Sequence, residues 1–241
     1  DIIFDFTGGV MKNKTKNAII FAVELSVYAV LFMLFAVSHF FRISNKTANV
    51  IYIVFMLFSF GWLFSYEFFF KKYDNAVHYK MFGKHYVPTK NDKPKEKYKR
   101  QGIAGVLILW AAYLLVLALA KFTGLMTWRL FLMGACIMFM LNSIFVRKKC
   151  LLSVLFLHNK NDCCKNCGIN CWDYSIFASA LLFAPFMSIA AGVVNGVIIT
   201  ASVVMLVIWE YNFHKHPYRF YQETNKSLAC KNCLKQCKYK D

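Results

Sequence analysis

The sequence has no H-E-x-x-H, no G-x-S-x-G, no P-loop and no G-x-G-x-x-G. The patterns that build a zinc protease, a serine hydrolase, a phosphate cradle or a dinucleotide site are therefore missing, and neither a hydrolase nor a kinase reading has support. Acidic residues are also few, with 12 Asp and Glu against 29 Lys and Arg, for a formal net charge of +17. Charge of either sign is nearly absent from several long stretches. That absence excludes an ordinary soluble domain, because a chain that is 59% hydrophobic and divides into uncharged apolar runs joined by basic segments is built for a bilayer.

A helix needs about 20 apolar residues to cross the hydrocarbon. Runs of that kind cover Ala18 to Phe41, Ala48 to Phe70, Gly102 to Ala120 and Met126 to Val146. A fifth run, Ser175 to Phe213, is too long for one span and carries Gly192, Asn195 and Gly196 near its middle. Such residues favour turns, so the run is expected to split into Ser175 to Ala191 and Val194 to Phe213. The predicted fold is all-α: a polytopic membrane protein of about six transmembrane helices.

Its expected organisation is an N-terminal segment (1–17), a four-helix membrane region (18–146) with a basic loop at 71–101, a cysteine-rich loop (147–174), a transmembrane hairpin (175–213) and a cysteine-rich tail (214–241). Short basic loops stay in the cytoplasm. With six spans, 25 of the 29 Lys and Arg fall on one side, and Arg42, Lys46, Lys121 and Arg129 are alone on the other. Both termini are therefore expected in the cytoplasm. The outward connections are too short to form an extracellular domain. The lead-in "MKNKTKN" before a long first span reads as a retained cytoplasmic segment, not a secretory signal.

The positive charge does not point to nucleic acid. "KNDKPKEKYKR" (Lys90 to Arg100) sits between two spans, where a solvated loop near anionic headgroups is expected. The expected partner is the lipid bilayer, with no nucleic acid.

Nine cysteines are unevenly placed. Cys136 lies inside the fourth span and reads as core filler, and Cys150 as a thiol at the interface. The other seven fall in the two cytoplasmic segments, where the pattern C-x2-C-x3-C occurs twice: Cys164, Cys167, Cys171, and then Cys230, Cys233, Cys237. Cys163 adjoins the first set. Disulfides are rare in reducing cytosol, so such spacings read there as metal ligands or catalytic dithiols. Lys165, Lys231, Lys235 and Lys238 are close in sequence, and neighbouring ammonium groups favour thiolates.

The simplest geometry is a split site in which Cys164 and Cys167 join Cys230 and Cys233 in a tetrahedral zinc set. The remaining Cys163, Cys171 and Cys237 suit an iron–sulfur cluster or a second centre better. The cofactor is thus zinc or an iron–sulfur cluster. His214 and His216 read as interfacial anchors.

Three glutamates lie in or at the edges of the spans. Glu67 and Glu210 are about one turn deep, within reach of Lys71, Lys72 and Lys215. Glu24 is roughly 9 Å deep by the helical rise, which makes it the candidate intramembrane polar site for a proton or cation.

The opening "DIIFDFTGG", through Asp1, Asp5, Gly8 and Gly9, resembles the segment leading into the last helix of the VanZ-like membrane family over nine residues. That resemblance implies a start within a longer reading frame. The cysteine clusters and "HPYRF" resemble prokaryotic membrane proteins with cytoplasmic cysteine clusters, which implies the cytoplasmic membrane of a prokaryote.

Three functions follow as expectations. The first is a structural metal clip between the loop before the fifth span and the tail. The second is an electron-transfer protein, an oxidoreductase component working with a quinone or flavoprotein, in which Trp172, Tyr174, Tyr218, Phe220 and Tyr221 surround a cluster. The third is a metal sensor or thiol switch on a transporter-like bundle, with a cytoplasmic regulatory partner.

Overall fold

A computed structural model describes residues 13–68, 86–89, 103–147, 172–220 and 224–225. These residues form helices and no sheet: α1 (Asn13–Val37), α2 (Asn45–Phe68), α3 (Ile103–Phe122), α4 (Trp128–Arg147), α5 (Trp172–Ala180) and α6 (Ile189–Lys215). Short 3-10 turns follow α1 (Ser38–Phe40), α5 (Leu181–Phe183) and α6 (Pro217–Phe220). The expected all-α class is met.

Among the described residues, three helices are long and apolar enough to span a membrane, over Ala18–Val37, Ala104–Phe122 and Ile189–Lys215. Their mean hydropathies are 2.2 to 2.4, yet no more than 22% of any of these windows is buried within the protein. Ile108, Val116, Val193 and Val197 are each at least 60% exposed. Apolar side chains pointing outward in such numbers are costly in water and natural against lipid, so the helices are compatible with a membrane protein.

The last apolar run does not divide where its glycines suggest. The break is at residues 184–188, and Gly192, Asn195 and Gly196 lie inside α6, corrected here from a turn to helix. Pro185 explains the position: it lacks an N–H and cannot continue the preceding turn. Ser188 then starts the next helix from an extended conformation, its Oγ accepting from the Ala191 N–H at 3.1 Å. Both glycines have open space around a would-be Cβ. Gly196→Ala should therefore gain about 0.5–1 kcal/mol of stability, read as a raised unfolding midpoint in detergent. A loss of that size would restore the turn. Gly124 is different: its φ of +74° ends α3 in a left-handed cap.

Five of the six helices gather around one aromatic centre. Phe139 of α4 stacks on Tyr28 of α1 at 5.2 Å and on Phe177 of α5 at 5.1 Å, and meets Phe60 of α2 edge-on at 5.7 Å. α1 and α4 run antiparallel, since Phe35 meets Trp128 while Tyr28 meets Phe139. α3 is peripheral, joined to α5 where the Trp110 indole N–H donates to Ser179 Oγ at 3.0 Å.

α2 and α6 run parallel along a heptad-like seam. Tyr52 and Asn195, 143 residues apart, are hydrogen-bonded side chain to side chain at 3.0–3.2 Å. The same separation aligns the buried pairs Ala48 with Ala191, Phe55 with Ile198 and Ser59 with Ser202. Positions three and four apart on each helix recur on one face, as knobs-into-holes packing requires.

Three contacts fix how the connections are arranged. Ser188 Oγ donates to Asn49 Oδ1 at 2.6 Å, Arg129 Nη2 to the Phe41 carbonyl at 3.1 Å, and Lys121 Nζ to the Leu182 carbonyl at 3.0 Å. The connections α1–α2, α3–α4 and α5–α6 therefore share one end of the bundle. α6, with 27 residues, reaches about 40 Å from that end. α5 and its 3-10 turn, with 9 and 3 residues, reach about 20 Å.

Candidate functional site

Cys150, Cys163, Cys164, Cys167, Cys171, Cys230, Cys233 and Cys237 all lie outside the described residues. Among the described residues, no three His, Cys, Asp or Glu side chains come together as a metal site would need. Cys136 is fully buried in the aromatic core, as a packing residue. The structure does show how the chain is held close to each cluster. Trp172, the first residue of α5, directly follows Cys171. Asn225 precedes Cys230 by five residues, a reach of at most about 17 Å.

Asn225 belongs to a clasp between two segments that the sequence keeps far apart. Pro88 and Asn225 form an isolated antiparallel bridge. The Val87 N–H donates to Asn225 Oδ1 at 3.1 Å and the Thr89 N–H to the Thr224 carbonyl at 3.4 Å. Asn225 Nδ2 donates in turn to the Arg219 carbonyl at 2.7 Å, and Thr224 Oγ1 to the Tyr218 carbonyl. Thr224 and Asn225 are 3% and 4% exposed. Burial of two polar residues is tolerated because their side chains close a hydrogen-bonded turn.

Aromatic and cationic groups cover the clasp. Tyr86 meets Tyr218 edge-on at 5.2 Å, and the Arg219 guanidinium lies 5.9 Å and 5.8 Å from their ring centres. Such stacking suits arginine, whose planar, weakly hydrated cation sits well on rings. His216 Nδ1 is 3.2 Å from the Tyr218 hydroxyl. Its pKa is lowered, first by loss of hydration and then by the positive charges of Arg219 and Lys215, so the neutral ring is favoured.

Within the basic segment 71–101, residues 86–89 pack against the tail, and the stretch Lys90 to Arg100, expected as a solvated loop, lies outside the described residues. The sequence draws attention to "HPYRF" but not to "YVPT" at 86–89. A four-residue stretch has no periodicity to detect, and Pro88 reads locally only as a breaker.

Two of the glutamates in the apolar helices are also placed. Glu24 lies one turn from Tyr28 on α1 and Ser143 one turn from Phe139 on α4, so the antiparallel register puts both at one level. Ser143 is 3% exposed. Glu210 pairs with His214 at 3.6 Å, whereas Lys215 turns to the Tyr211 hydroxyl at 3.1 Å. Both contacts have the i, i+4 spacing that places side chains on one helix face.

The geometry defines a helical bundle compatible with a membrane protein, with a polar clasp beyond the far end of α6. No protein-family model, curated protein or solved structure matches the chain.

Proposed function

We propose that this chain is a polytopic membrane protein with six membrane segments, both termini in the cytoplasm, and a zinc clip on its cytoplasmic face. Cys164 and Cys167 join Cys230 and Cys233 around one ion, with Cys163, Cys171 and Cys237 as surrounding thiols. The clip ties the loop before α5 to the tail after α6. The observation that carries this reading is the gathering of the three short connections at one end of the bundle. Segments 69–102, 148–171 and 221–241 then all belong to the opposite end, which the charge bias assigns to the cytoplasm.

The clasp supports a structural role. Chain leading into the second cluster is already bound to the body through Asn225, and a metal bound only by the folded form would add stability to that arrangement.

Anaerobic purification followed by metal analysis and visible spectroscopy tests the reading. A colourless protein with about one zinc per chain, as a single closed four-cysteine site requires, is expected. Cys167→Ser and Cys233→Ser should each abolish zinc retention. Brown protein with iron and labile sulfide would replace the clip with an electron-transfer centre, and zinc kept by either variant would mean two separate sites.

A further inference from the structure

The seam between α2 and α6 contains a layer that the metal proposal does not use. Ser59 and Ser202 both have no exposed surface. Neither Oγ has a hydrogen-bond partner among the described residues. They occupy equivalent positions, each seven residues beyond a member of the bonded Tyr52–Asn195 pair, so the parallel register sets them opposite one another.

Several serines and threonines of this chain turn back on their own backbone. Thr200 Oγ1 donates to the Gly196 carbonyl at 2.8 Å, Thr123 Oγ1 to the Leu119 carbonyl at 2.8 Å, and Ser179 Oγ to the Ile176 carbonyl at 2.8 Å. Ser59 and Ser202 make no such bond, although each follows a full helical turn of carbonyls. They are also not hydrogen-bonded to each other. Two buried hydroxyls left unpaired would each cost about 1–3 kcal/mol. A single molecule hydrogen-bonded to both removes that cost.

The described seam residues at this level are apolar or neutral: Phe55, Met56, Phe60, Ile198 and Met205. Glu24 lies on α1 against α4, at a different interface. A charged guest would lack a counter-ion in the seam, and a metal would lack ligands. We propose that Ser59 and Ser202 form a binding site for one neutral, water-sized molecule, namely a structural water bridging α2 and α6. Each hydroxyl offers it one donor and acceptor, so the bridge needs no further residue. This inference is independent of the cysteine clip.

The test compares Ser59→Ala, Ser202→Ala and the double variant in full-length protein, by reversible unfolding in detergent. Each single change should shift the folded-to-unfolded ratio by about 3-fold to 15-fold toward unfolded, the range of polar contacts between membrane helices. The double variant should lose no more than the worse single, because both remove the same bridge. Neutral or stabilising singles, or fully additive losses, would overturn the proposal.

A second measurement holds even if a variant fails to fold. In bilayers, solid-state NMR should transfer magnetisation from a slowly exchanging water to the Cβ carbons of both Ser59 and Ser202 in the unmodified protein. Absence of transfer to either serine would refute the bridge.

Discussion

Replacing Phe139 with Ala should destabilise the protein by about 3–5 kcal/mol, the largest single loss in the bundle. The ring is 5% exposed and contacts aromatic side chains of α1, α2 and α5 from its own helix α4. Removing it opens a void where four helices meet. The stacked and edge-on pairs with Tyr28, Phe177 and Phe60 are worth about 0.5–1.5 kcal/mol each beyond simple burial, and they vanish together. Phe139→Leu should cost less, because most of the volume stays. Phe122→Ala is the control: that ring is 85% exposed at the end of α3, and its loss should leave the unfolding midpoint nearly unchanged. Equal effects at Phe139 and Phe122 would mean that Phe139 is not the centre of the packing.

The second large effect is expected at Asn225. Its Oδ1 accepts from the Val87 N–H and its Nδ2 donates to the Arg219 carbonyl, with the side chain almost fully enclosed. Asn225→Ala removes both bonds and leaves one backbone donor and one acceptor unpaired, at a cost of about 2–4 kcal/mol to the clasp. Asn225→Asp keeps the acceptor for Val87 but sets a carboxylate oxygen against the Arg219 carbonyl, so it should rescue only part of the loss. The effect is local, so the sensitive readout is hydrogen exchange at Val87 and Thr89. Faster exchange there, with the core amides of α4 unchanged, is the expected pattern. Unchanged exchange at Val87 would show that Asn225 does not hold it.

Those two residues also mark what is and is not legible in the sequence. Residues such as Phe139 stand in apolar runs whose length and lack of charge announce buried or membrane helices, whatever those helices pack against. The all-helical class and the position of most helices follow from that pattern. The break in the last run is legible only in principle. Glycines and an asparagine in the middle suggest a turn, but a single proline several residues earlier decides it, because a missing N–H stops a helix while a glycine with free space around it does not.

Interfaces are harder. The α2–α6 register needs the knowledge that these helices are parallel neighbours, which depends on the Asn49–Ser188 and Tyr52–Asn195 contacts between chain segments about 140 residues apart. The clasp at Pro88 and Asn225 likewise joins stretches too short for periodicity. The cysteine spacing is the reverse case. It is explicit in the sequence and points to a site through chemistry alone, whereas the described residues bear on it only through where its two arms emerge.

That emergence is tested most directly by the side of the membrane from which each arm can be reached. Chains carrying a single cysteine at Cys167, at Cys233 or at Lys46→Cys should be exposed to a membrane-impermeant maleimide in intact cells and again after permeabilisation. Lys46 sits in the first turn of α2, at the end that holds the short connections. The expected result is labelling of Lys46→Cys in intact cells, with Cys167 and Cys233 both labelled only once the membrane is opened. Labelling of Cys167 and Cys233 from opposite sides would contradict a shared site and the six-segment arrangement that brings the two arms together.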